Sequence, residues 1–129
     1  MAVTHTTAAR NAATDAVTAL LGATAKLVFR LTGTVSAPGT VVATLSMAST
    51  AFGASATGTA TAGTITSDTN ATGNASPVAT ATLQTGAGVV VIHCAVAASA
   101  SDINMTNGLT VASGDTVSCS SLTYTALSA

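Results

Sequence analysis

Charge is nearly missing from this chain. Only 5% of its 129 residues are Asp, Glu, Lys or Arg, against roughly 25% in an ordinary soluble domain. The basic residues are Arg10, Lys26 and Arg30, the acidic ones Asp15, Asp68, Asp102 and Asp115, and glutamate is absent. So few cations cannot build a phosphate-tracking surface, because nucleic-acid affinity rises with the number of Lys and Arg contacts; we expect no direct nucleic-acid partner. Tryptophan is absent and aromatics reach 2%, so a sugar-stacking platform has little beyond Tyr124 to draw on. Long apolar runs are missing too. The best, Ala87 to Ala98 (AGVVVIHCAVAA), is shorter than the ~20 residues a spanning helix needs and contains His93. Met1 to Thr7 has no basic stretch followed by an apolar one, so it does not read as an export signal. A product made and kept in the cytoplasm is the expectation.

The acids, bases and nucleophiles that enzymes bring together are equally sparse. His5 lies ahead of the first helix, where a solvated side chain is the plain reading. His93 and Cys94 are neighbours on an apolar strand, and adjacent strand residues point to opposite faces, so they do not form one nucleophile pair or metal site. Zinc needs three or four ligands, and Cys94, Cys119 and His93 have no recognised ligand spacing. Around Ser55 the sequence GASAT fails the G-x-S-x-G elbow at its last position. No phosphate-binding glycine loop occurs. We expect no catalysis, no metal and no cofactor. The two cysteines read as buried free thiols, since Cys packs as a small hydrophobe and a cytoplasmic product keeps its thiols reduced.

What the chain does have is Ala, Thr, Ser and Gly in abundance, with 48% hydrophobic residues and a formal net charge of -1. That apolar fraction favours a folded chain over a disordered one. The length fits one domain over residues 1–129: an arm over 1–7, a helix over 8–21 and a β domain from 24 onward. In the helix AARNAATDAVTALL, Thr6 or Thr7 is the N-cap and Gly22 the C′ residue. Ala9, Ala13, Ala16, Val17, Leu20 and Leu21 recur at three- and four-residue steps, predicting an apolar stripe that packs on a sheet.

Beyond Gly22 the period becomes two. Lys26 to Leu31 puts Leu27, Phe29 and Leu31 on one face and Lys26, Val28 and Arg30 on the other. Val41 to Met47 follows after a Pro38-Gly39 turn. Ala48 to Ala56 reads as an irregular connection exposing Phe52, and Thr57 to Thr66 as a weak strand. Val78–Thr85 and Gly88–Ala98 predict a hairpin, its second arm apolar on both faces and therefore central. Thr110–Ala112 and Thr116–Thr125 complete a set of six or seven strands. This pattern predicts a mainly β protein, an antiparallel sandwich or barrel-like sheet with one N-terminal helix. Lys26 and Arg30 share a strand face about 13 Å apart at ~3.3 Å per residue. They either solvate that face or meet an acidic neighbour.

Three segments in order, TTAARNAATDAVTALLG (6–22), LSMASTAFGASATGTATAGTITSDTNATG (45–73) and GLTVASGDTVSCSSLTYT (108–125), resemble a family of small tailed-phage virion structural proteins. Val78 to Ala98 departs from that pattern in being more apolar. The resemblance implies a capsid decoration or cement protein on the virion surface, assembled in the host cytoplasm. Its partners would be the major capsid protein and further copies of itself, as a trimer or dimer. A tail-tube, tail-tip or fibre component is the alternative, and a surface- or carbohydrate-binding module the second. Low charge fits such an assembly, since net charge near zero favours association. The expected assembly contacts are Met1, Val3 and His5 in the arm, Phe52 in its loop, and Lys26 and Arg30 on their strand.

Overall fold

Helix formation begins where a hydroxyl first meets a free amide. Thr6, extended at φ -63° and ψ 158°, accepts from the Ala9 amide at 3.1 Å through Oγ1, removing one of the orphan donors of a first turn. Helix α1 then runs Thr7–Ala19 and closes through Gly22 at φ 73°, a left-handed position that glycine takes without penalty. The computed structural model describes residues 3–127.

The rest is β structure with long irregular connections. Strands β1 (Lys26–Arg30), β2 (Val41–Met47), β4 (Ile65–Thr66), β5 (Thr80–Gln84), β6 (Val90–Ala97) and β7 (Ile103–Asn104) form one sheet in the order β4-β2-β1-β5-β6-β7. Strands β3 (Thr59–Thr61) and β8 (Thr123–Thr125) pair as a separate ribbon. The protein is mainly β with one helix among the described residues. Its large sheet is mixed, because β7 lies parallel to β6 while the other pairs are antiparallel.

Cross-strand pairs explain the centre. Leu27 stands between Leu45 and Leu83, and all three are almost wholly buried. One row on, Phe29 lies between Ala43 and Ala81, whose small side chains leave room for its ring. Large and small residues alternate across the sheet as dense packing requires. This face is covered by irregular chain that supplies Ala51, Phe52, Ala71, Val78, Val111 and Val117 to the same core. On the reverse face Val28, Thr80 and Thr82 are also buried. At the Arg30 end of this face the 31–40 loop closes over the sheet, accepting from Thr80 at the Leu31 carbonyl and from Arg30 at the Gly39 carbonyl. A Cβ at Gly39 would strike the Leu31 carbonyl, so the loop closes only because that residue has none.

Several expectations are corrected. The apolar stripe of α1 faces the protein only in part: Leu21, just past the helix, is buried in the core and Ala13 and Val17 are half-buried. Ala9 and Ala16 are exposed and Leu20 is 64% exposed, whereas Thr14 is the buried residue of the helix. The helix docks through polar groups: Thr14 donates to the Gly58 carbonyl at 2.6 Å and accepts from the Ala126 amide, Asn11 accepts from the Gly58 amide, and Asp15 accepts from the Ser55 amide. Thr57 to Thr66 is not one strand; it splits between the ribbon (β3) and the large sheet (β4). The 116–125 strand shrinks to β8, with Val117 bridging Asp68 instead. Residues 110–112 form no strand, although Val111 accepts from the Asn74 amide. Strand β6 is not central: it stands next to last, covered on its outer side by β7 only at Val96 and Ala97.

Two outcomes follow from this packing. Leu27→Ala should destabilise the protein by about 2–5 kcal/mol in urea unfolding, while Val35→Ala, at an exposed site, should stay within about 0.5 kcal/mol. Thr14→Val should cost about 1–3 kcal/mol, because Gly58 and Ala126 lose their partner, and Thr14→Ser should restore most of it.

Candidate functional site

The predicted contact residues separate into three groups. Val3, 79% exposed, and His5, also exposed, extend ahead of the Thr6 cap; Met1 lies outside the described residues. Phe52 is not available to a partner. It is 5% exposed, bridges Ala62 and belongs to the core, because the 48–56 connection folds back over the sheet. Lys26 and Arg30 stand as their spacing predicts, on one face of β1, opposite to Leu27 and Phe29.

Around these two cations the sheet builds a polar surface. Lys26 Nζ donates to Ser46 Oγ on β2 at 3.2 Å. Arg30 donates through Nε to Thr82 Oγ1 at 3.1 Å, through Nη1 to the Gly39 carbonyl at 2.9 Å and through Nη2 to Gln84 Oε1 at 2.9 Å. Thr82 also donates to Gln84 Oε1. Partial burial lowers the Arg30 pKa from its ordinary value, which reflects solvation given up to the sheet. His93 faces the same side on β6, opposite Thr82. Its Nε2 is enclosed with no hydrogen-bond partner among the described residues. The spacing along β1 revealed the shared face, but the contribution of β5 and β6 depends on strand pairing that no local pattern encodes.

Cys94, next in sequence, pairs with Ala81 and points to the opposite face from His93. Both cysteines are free thiols and half-buried rather than fully enclosed. Burial, and then the charge of Asp102, push the Cys94 thiol up to about 11; burial also raises Cys119.

An open cleft of about 620 Å³ lies between residues 102–111 and 115–123, with Phe29, Val111 and Val117 among its apolar walls. Sequence reasoning missed it, since both of its sides are irregular chain. Its two carboxylates brace the walls: Asp102 accepts from the Ala95 amide and Asp115 from the Ala112 amide. Among the described residues no three His, Cys, Asp or Glu side chains are grouped to hold a metal ion. No helix there is long and apolar enough to cross a membrane.

The Cys94 environment sets a pH response. The folded thiol keeps its proton between its ordinary 9.0 and about 11, while the unfolded one loses it. Stability from this group is therefore intact below pH 9 and declines as pH rises through that window. Iodoacetamide at pH 8 should label Cys94 slowly in the native protein and rapidly in urea, read by peptide mass.

No family model matches this sequence, and no curated protein or solved structure matches it.

Proposed function

We propose that this chain is a non-enzymatic structural subunit of a tailed-phage virion, a cement or decoration protein that binds the head in many copies. The observation that carries the reading is the outward face of α1. A helix that docks by Asn11, Thr14 and Asp15 leaves Ala9, Ala16 and Leu20 uncovered. Val3 and Val89 are exposed as well, and Val90 to Cys94 on β6 are only half-covered. Apolar surface left bare in this way gains free energy when a neighbour excludes water from it.

The side chains suit such a role. Ala, Thr and Ser lose little rotamer entropy when an interface immobilises them. With a formal net charge of -1, copies repel one another weakly. In this reading the large sheet and the β3–β8 ribbon form the two layers of a small sandwich, and copies associate as a dimer or trimer before or while meeting the shell.

Quantitative mass spectrometry of separated DNA-filled heads and purified tails tests the location. Many copies in every head are expected; a few copies confined to tails would replace the cement reading with a tail one. Native mass spectrometry of the isolated protein should show a dimer or trimer, which Leu20→Glu converts to monomer without loss of melting temperature. A wild-type monomer at high concentration would count against self-association.

A further inference from the structure

The aspartates of this chain do not neutralise its strand cations. Each carboxylate serves the backbone: Asp15 accepts from Ser55, Asp68 from Thr44 and Asn70, Asp102 from Ala95, and Asp115 from Ala112. Lys26 and Arg30 are instead held by neutral oxygens, those of Ser46, Thr82, Gly39 and Gln84. Taking part of a guanidinium out of water without a carboxylate in return is unfavourable. The bonds to Thr82, Gly39 and Gln84 fix its plane and leave part of its donor fork unfilled.

Geometry brings the two cations into one patch. Gln84 is the cross-strand partner of Lys26, and Gln84 Oε1 accepts from Arg30. The guanidinium therefore leans along β5 toward the Lys26 row, shortening the ~13 Å that separates the two backbones. Thr82 lies between them, fully buried, and His93 borders the patch on the β6 side.

We infer that this face of the large sheet docks an acidic segment of a partner protein, with one carboxylate on the Lys26 ammonium and another on the open edge of the Arg30 guanidinium. A carboxylate matches that planar fork bidentately. Residues two or four apart on one side of an extended chain put two such side chains ~7 or ~13 Å apart, the second being the spacing of Lys26 and Arg30 along β1. Nucleic acid fits less well, because two cations release too few counterions to hold a polyanion. The inference deepens the assembly reading by giving the chemistry of one contact face, and it rests on that reading for the partner being a protein.

The test is fluorescence anisotropy of a fluorescein-labelled hexaglutamate peptide titrated with the intact protein at low ionic strength. Binding is expected, weakening as salt rises, and a labelled hexalysine control should not bind. Lys26→Gln should weaken hexaglutamate binding about tenfold with an unchanged melting temperature, since that side chain holds only Ser46. Arg30→Lys keeps the charge but loses the fork, and should weaken binding while retaining the wild-type salt dependence, which Lys26→Gln reduces. No binding by the wild type, or equal binding by Lys26→Gln, would overturn the inference. So would stronger binding of a six-nucleotide oligothymidylate than of the peptide. This assay needs no virion, so its failure is separable from a failure to find the protein in heads.

Discussion

Unpaired backbone amides govern this structure. Much of the chain lies outside regular strands, and a buried amide without an acceptor costs about as much as a lost hydrogen bond. The acceptors come from a sparse stock of oxygens. All four aspartates cap backbone amides, as do Asn11, Asn74 and Asn104, the amides of Ser55 and Gly58 being partly buried and the others exposed. Backbone carbonyls do the rest: Gly73 donates to Val42 on β2, while Asn74 donates to Val111 and Val78 to Leu109, so that segments 67–78 and 109–117 brace each other without forming strands. The scarcity of charge is thus accompanied by concentrated use. Losing one Asp removes a cap and not an ion pair.

The same economy shapes the packing. Leucines meet leucines in one row and Phe29 meets alanines in the next, which fills the interior with few large side chains. Alanines and threonines fill the gaps between those large side chains and also coat the surface, where the proposed neighbour would lie close. Helix α1 shows the trade most clearly. Its attachment is made by hydroxyl, amide and carboxylate groups, which frees its alanines to face outward.

Local signals were legible where they are strong. The Thr6 cap, the Gly22 terminus, strand β2 at its observed bounds and the hairpin of β5 and β6 all follow from caps, periodicity and turn residues. The orientation of the helix was not. Its apolar stripe is made mainly of Ala, whose burial contributes little, so hydrogen bonds to the 55–58 turn decide which side faces in. Phe52 was misplaced for a related reason: its surroundings are low-complexity, and only long-range pairing with Ala62 shows that the connection returns to the core. In 116–125 Thr, Val and Tyr give strand propensity, but the apolar positions slip phase between Val117–Cys119 and Leu122–Tyr124, so the segment pairs at β8 and otherwise only through the Val117–Asp68 bridge. For the cationic patch, period two placed Lys26 and Arg30 together. Thr82 and Gln84, distant in sequence, had to come from the fold.

The carboxylate of Asp102 has one more effect. By taking the Ala95 amide at 2.9 Å it occupies a position that the ladder of an added strand would need, and it places a negative charge on the rim of the sheet. Beside it β7 already pairs with Val96 and Ala97. A long, flat, unguarded border invites runaway stacking of sheets into fibrils. Here Asp102 and β7 close the Ala95–Ala97 end of that border. A protein with almost no electrostatic repulsion thus has part of its sheet edge barred to growth, while Val90–Cys94 has no strand partner on that side among the described residues.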